Sequence, residues 1–260
     1  MSLADWAHHS RERIERQPVH EGAIESVLEL WRGGKRLLHY RTLERLLDGE
    51  FAVQTRLAGT DAFFLCEDWE DLRRAKTGLR EAEAMGWLFA GIDDETVFWD
   101  VGAFHGTYAV IAGNRGADVL AFEPHPGNRD RLETNASLND LSIRVSPLAL
   151  SDQTGTAAFS RPERNAEFGA DGDGETEVPV ARGDDIGAKP PDVVKIDTEG
   201  HECAVLDGLE ETLQDVDRVL VEVHLGVDPE SVRRRLEAAG LDVRVLNLGR
   251  SQTYLGGVRI

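Results

Sequence analysis

From residue 96 onward, short apolar runs alternate with stretches of helical periodicity. Val97–Val101, Val119–Phe122, Val193–Ile196 and Arg218–Val223 have the apolar, valine-rich character of strands buried on both faces, and Ile143–Val145 begins another. Between them, Thr107–Gly113, Asn128–Leu138, Glu202–Leu213 and Pro229–Ala239 read as helices; Asp242–Leu246 and Thr253–Val258 read as closing strands. This alternation predicts an α/β fold of Rossmann-like type, a mostly parallel sheet with helices on both faces.

The first ninety residues follow a different pattern. Residues 22–47 read as helical, broken at Gly33-Gly34. Phe51–Leu57 and Ala62–Cys66 alternate around Ala58-Gly59-Thr60-Asp61 as a β-hairpin does, and a helix is expected over Trp69–Phe89. The expected organisation is an N-terminal helical extension with a hairpin over 1–90 and a main domain over 91–260. The leucine-rich 22–47 segment could pack on the main domain or on a second copy of the chain. The polar, Gly- and Asp-rich tract 160–177 interrupts the rhythm and is expected to be a surface loop or a lid over substrate.

Charge adds a habitat to this outline. The 260 residues carry a net charge of −19, spread along the chain, with four lysines: Lys35, Lys76, Lys189 and Lys195. Dispersed carboxylates with scarce lysine suggest adaptation to molar salt, as in a halophilic archaeon. Such a surface offers nothing to nucleic acid or anionic membranes, so neither is expected as a partner. Arg233-Arg234-Arg235 falls within a helical stretch and reads as a solvated face. Cys66 and Cys203 stand apart, outside any metal or disulfide spacing, and are expected to be reduced thiols. No apolar run approaches the ~18 residues of a membrane span. The first residues lack the apolar core of a signal peptide, and the expectation is a cytoplasmic protein. His8, His9, His20 and His39 have no ligand spacing and read as surface residues.

Chemistry concentrates at the strand ends. Val97–Val101 carries Asp100 and runs into Gly102-Ala103-Phe104-His105-Gly106 before a helix. The glycines permit a tight turn and close approach of a ligand, and the helix start offers free N–H groups. A dinucleotide site would show G-x-G-x-x-G; here the spacing is G-x-x-x-G with an aspartate two positions ahead, which disfavours a nicotinamide dehydrogenase. A carboxylate there opposes a pyrophosphate and suits a ligand with an amino group and a sulfonium, as S-adenosylmethionine (SAM) has. Glu123, closing the next strand, is placed to accept both hydroxyls of a ribose.

In DVGAFHGTYA (100–109), AFEPHPGNRDRLETNASLND (121–140), ALSDQTGTAAF (149–159), VKIDTEGHECAVLDG (194–208) and VLVEVH (219–224), the chain resembles the FkbM-type methyltransferases of the class I SAM-dependent superfamily. The resemblance implies a seven-stranded sheet with its last strand antiparallel, SAM as methyl donor, and a hydroxyl acceptor on a sugar, glycan or small metabolite. It places Asp100, Gly102, Ala103, His105 and Gly106 around the methionine end, Glu123 at the ribose, and Ser151 and Asp152 near the adenine. Phe104-His105 departs from the family's commoner Asn-Ile, which removes one side-chain hydrogen bond to the cofactor.

Methyl transfer to a hydroxyl needs alignment and a proton acceptor. Lys195, Asp197, Glu199 and His201 cluster at one strand end, with Glu222 and His224 at the next. Asp197 is the first candidate for base, or for holding the acceptor. Lys195 shares its face, and His224 is the acceptor of the proton where no metal intervenes. Asp197, Glu199, Glu222 and His224 could also form a hard-cation site for Mg²⁺, while Glu199 and Glu202 could instead cap the helix that follows. The competing readings are an RNA or protein methyltransferase and a SAM-binding partner without catalysis.

Overall fold

The computed structural model describes residues 51–66, 71, 82–160, 167–168, 176–248 and 253–260. The helix expected over 22–47, most of that over 69–89, and His8, His9, His20 and His39 lie outside these residues, as does any contact made through 22–47.

A hairpin comes first, β1 (Phe51–Leu57) paired antiparallel with β2 (Thr60–Cys66). Its turn is the dipeptide Ala58-Gly59, with φ of 47° and 82°. Two positive φ values in a two-residue turn match the twist of the flanking strands, so the connection is shorter than the four residues expected. Then follow α1 (Ala82–Leu88), β3 (Val97–Val101), α2 (Thr107–Asn114), β4 (Asp118–Phe122), α3 (Pro126–Leu138) and β5 (Arg144–Ser146). Next come β6 (Ala149–Leu150), β7 (Gly155–Ser160), β8 (Glu167–Phe168) and β9 (Thr176–Ala181). The chain closes with β10 (Val193–Ile196), α4 (Glu202–Asp207), β11 (Arg218–Val223), α5 (Pro229–Ala238), β12 (Leu241–Leu248) and β13 (Thr253–Arg259).

Seven strands form one sheet in the order β12-β13-β11-β10-β3-β4-β5. The five from β5 to β11 are parallel, and β13 runs antiparallel to both its neighbours. Alternate residues of β3 separate two cores, as the two-residue strand period requires. Phe98 packs with Val53 and Phe64 of the hairpin, Leu88 of α1 and Ile111 of α2. Val97, Trp99 and Val101 pack on the other face with Val205 of α4 and Leu236 of α5. The hairpin and α1 therefore share an apolar core with the sheet.

Two expectations are corrected. The tract 160–177 is not wholly a loop: β8 lies within it and pairs with β7, in a separate four-stranded sheet ordered β6-β9-β7-β8. Its apolar flanks pair antiparallel with each other, Thr156 opposite Pro179, and stay outside the main sheet. The helix expected to run to Leu213 stops at Asp207, and a 3₁₀ turn follows at Thr212–Gln214. Gly208 is the C-cap of that helix and touches the backbone of another loop: a Cβ there would lie 1.9 Å from the Ser151 carbonyl oxygen.

Helix α3 turns a polar stripe inward. The Leu65 N–H donates to Asn135 Oδ1 (2.8 Å), the Phe63 N–H to Asn139 Oδ1 (2.9 Å), and Asn139 Nδ2 to the Phe63 carbonyl (2.8 Å). Arg131 Nη2 donates to the Leu65 carbonyl (2.7 Å) and pairs with Asp71 (2.6 Å). Residues four apart on a helix stack on one face, so these side chains satisfy the backbone of β2 as a neighbouring strand would. We expect Asn139→Ala to cost about 1 kcal/mol, the net worth of a typical hydrogen bond, since these groups are half-buried. Thermal unfolding in molar KCl checks this, and an unchanged midpoint would show that water substitutes for the amide.

Candidate active site

The site forms where β3, β4, β10 and β11 end. Asp100 and Lys195 lie level on adjacent parallel strands and share a face of the sheet. Lys195 Nζ donates to the Gly102 carbonyl (2.9 Å) and lies 3.3 Å from both Asp100 Oδ1 and Asp197 Oδ2, with the Tyr108 ring 5.1 Å away. The Ala109 N–H, in the first turn of α2, donates to Asp100 Oδ2 (3.0 Å). Asp100 is fully buried and reaches the glycine turn through Lys195, which bonds the Gly102 carbonyl, and through the first turn of α2. Its burial outweighs the Lys195 charge and pushes its carboxyl above the usual range. Burial opposes the Lys195 charge as well, but Asp197, Asp100 and Glu222 prevail and hold the ammonium above its ordinary value.

The turn itself is Gly102 to Gly106. Gly102 has φ +74°, and a Cβ on it would lie 1.8 Å from the Asp197 carbonyl oxygen. Gly106 has φ +81° and abuts Leu132, which would meet its Cβ at 2.6 Å. Phe104, with φ +50°, has its ring stacked on His105 at 3.7 Å. His105 Nδ1 faces Asp71 at 3.8 Å, and its carbonyl accepts from Asn135 Nδ2 (2.8 Å). Glu123 holds the other side: the Phe104 N–H donates to Oε2 (2.8 Å), while the His125 N–H (2.8 Å) and Asn128 Nδ2 (3.1 Å) donate to Oε1. Burial raises the Glu123 carboxyl against the pull of these donors.

Ser151 Oγ lies 3.0 Å from His201 Nε2 and donates to Asp152 Oδ1 (3.0 Å). His201, the residue ahead of α4, thereby joins the loop after β6 to the end of β10; burial lowers its imidazole pKa.

At the end of β11, His224 sits among carboxylates. Its Nδ1 is 2.7 Å from Glu202 Oε1, and its Nε2 faces Glu199 Oε2 (3.3 Å), Asp197 Oδ1 (3.6 Å) and Glu222 Oε1 (3.7 Å). Burial disfavours the charged ring, but the Glu202 hydrogen bond and the three further carboxylates outweigh it and push the pKa up to about 9. Asp197, Glu199 and His224 bring one ligand atom each to within 4.8 Å of one another; Glu222 stands beside that trio. Glu199 does not cap α4, whose N-cap residue is His201 without a side-chain cap bond, and its own φ is +50°. Glu202 accepts from the Gly200 N–H just ahead of the helix (3.0 Å) but is fully buried as the support of His224, a pairing the sequence did not disclose. The adjacent acids and histidine of the block Glu199-Gly200-His201-Glu202 were the available signal. Both cysteines are free, Cys66 buried and Cys203 partly so.

A seven-stranded sheet of this order, with a glycine turn after the inner strand β3 and a carboxylate closing its neighbour β4, is that of a class I SAM-dependent methyltransferase. Residues 100–243, more than half of the chain, match the methyltransferase FkbM domain, and the chain belongs to that family. It is 33% identical over 209 residues to the hexuronic acid methyltransferase AglP of Haloferax volcanii, covering 78% of this chain and 87% of that protein. Among solved structures it is similar to the methyltransferase FkbM from Methylobacillus flagellatus (20% identity, TM-score 0.48, 64% of this chain and 44% of that one). It also resembles the 16S rRNA N2 G1207 methyltransferase RsmC of T. thermophilus in complex with AdoMet and guanosine (10% identity, TM-score 0.52, 81% and 51%), a likeness of fold. The chain spans about half the length of these two structures. Among the described residues, no helix is long and apolar enough to cross a membrane.

Proposed function

We propose that the enzyme transfers the methyl group of SAM to an oxygen of a sugar acceptor, a hexuronic acid or a glycan carrying one. The observation that carries this reading is the meeting of the glycine turn and Glu123 with Asp197, Lys195 and His224 at adjoining strand ends, beside the similarity to a hexuronic acid methyltransferase.

The residues present fit SAM. The turn follows a buried strand, and its glycines take the positive φ that close packing there demands. Glu123 Oε1 already accepts from His125 and Asn128, while Oε2 keeps one acceptor position beyond the Phe104 N–H, which suits a ribose hydroxyl. In this reading Gly102, Ala103, His105 and Gly106 line the methionine end, and Asp100 acts there through the turn it braces. Ser151 and Asp152, fixed by His201, border the adenine. Phe104 has no side-chain amide and its N–H is held by Glu123, so the contact it makes is through its carbonyl or ring.

When bound, SAM supplies an electrophilic methyl carbon on a sulfonium. The chain aligns the acceptor and receives its proton. Asp197, with a partly exposed side chain beside the turn, is the proposed proton acceptor. Lys195 holds its Oδ2 and stays charged. His224 Nε2, 3.6 Å from Asp197 Oδ1, orients that carboxylate and the acceptor.

The test is calorimetric titration with SAM and S-adenosylhomocysteine in molar KCl, with NADH as control. Wild type should bind both adenosyl ligands and ignore NADH. Glu123→Ala should lose at least about 30-fold in affinity, the worth of one to two hydrogen bonds to a charged group. A folded wild type that binds neither would sink the catalytic reading and favour a partner protein.

A further inference from the structure

We propose that Asp197, Glu199 and His224 bind a divalent cation of the Mg²⁺ or Mn²⁺ type, which receives the carboxylate of an acidic sugar. The part concerning the sugar rests on the acceptor class proposed above; the cation site stands on geometry alone.

The histidine is arranged as a metal ligand is, with the ion taking the place of the proton on Nε2. Metal-binding imidazoles commonly give their other nitrogen to a carboxylate, which fixes the ring. Here Glu202 Oε1 holds Nδ1 at 2.7 Å, and Glu202 is wholly buried, its Oε2 without a hydrogen-bond partner among the described residues. The ring is thereby turned so that Nε2 meets three carboxylate oxygens at 3.3, 3.6 and 3.7 Å. These separations exceed a charge-assisted hydrogen bond, which is about 2.7–2.9 Å. They fall between the adjacent and opposite ligand spacings around an octahedral ion bonded at ~2.1 Å, about 3 and 4.2 Å. Two carboxylates with one imidazole suit a hard or borderline divalent ion over a thiophilic one.

Charge gives the ion its use. Asp100, Asp197, Glu199, Glu202 and Glu222 crowd around Lys195 and His224, so carboxylates outnumber the cations. Lys195 is buried and engaged with the Gly102 carbonyl, Asp100 and Asp197. A uronate approaching Asp197 meets net negative charge, and a divalent ion on the exposed side of the trio reverses that sign where the acceptor must sit.

The experiment is Mn²⁺ titration of chelator-treated protein in molar KCl, followed by electron paramagnetic resonance, with molar K⁺ masking weak surface carboxylates. Wild type should show one saturable site, weakened at least tenfold in Glu199→Gln and in Asp197→Asn. Glu199 is part-exposed, so its variant is expected to fold, which circular dichroism verifies. D-glucuronate, and not D-glucose, should tighten Mn²⁺ binding or alter its signal. Absence of a saturable site, or one indifferent to both variants, overturns the cation; a site indifferent to glucuronate overturns the role given to it. SAM titration of the same chelated samples reports separately on the cofactor reading.

Discussion

Lys195→Met should destabilise the protein by about 3–5 kcal/mol, the cost of removing one member of a buried ion pair. Asp100 is fully buried and Lys195 nearly so, so solvent cannot soften the loss. The substitution leaves Asp100 with the Ala109 N–H as its donor, and it frees the Gly102 carbonyl. For a chain of this size the melting midpoint should fall by roughly 6–20 °C, read by circular dichroism in molar KCl. Adding Asp100→Asn should recover a large part of that drop, because the stranded charge is what costs most. A double variant as unstable as the sum of the two singles would show that they do not act as a pair. Methyl transfer should be lost in the single variant even below its midpoint, since Asp197 loses the ammonium that holds it.

Gly102→Ala should nearly abolish cofactor binding, by at least about 100-fold, or roughly 2.7 kcal/mol. Two effects combine. A left-handed backbone costs an alanine about 1–2 kcal/mol, and the new methyl would lie 1.8 Å from the Asp197 carbonyl oxygen. That neighbour is backbone, so relief requires the ends of β3 and β10 to part, carrying Asp197 away from the turn. The protein contains its own control: Gly91 has φ +82° with nothing within 4 Å of a Cβ. Gly91→Ala should therefore cost the conformational part alone and leave SAM affinity unchanged. Equal effects at the two sites would mean that the close approach to β10 carries no weight.

Much of this architecture is legible in the sequence. β3, β4, β10 and β11 are continuous apolar runs because both faces are covered, and continuous runs survive in a sequence as plain signals. The glycine turn and Glu123 were legible because each sits at the end of such a run. Other features depend on what faces a residue across space. The sequence marks 128–138 as a helix, but nothing local reveals that Arg131, Asn135 and Asn139 face the edge strand β2. Glu202 reads as an acid suited to a helix start; its burial under His224 follows from the distance between β10 and β11 and not from its neighbours in the chain. The second sheet was hidden by β8, two residues within a polar tract.

One amide joins two of these regions. Asn135 takes the Leu65 N–H of the hairpin with its oxygen and gives its nitrogen to the His105 carbonyl in the glycine turn. The hairpin and the cofactor turn thus share a tie, and the turn cannot shift without drawing on the strand. Linkage then sets a reciprocal rule: any molecule that grips the hairpin and moves this amide changes affinity at the turn, and is itself bound more or less tightly by the same factor when the turn is filled. A surface hairpin so connected is a lever on the reaction as well as part of the scaffold.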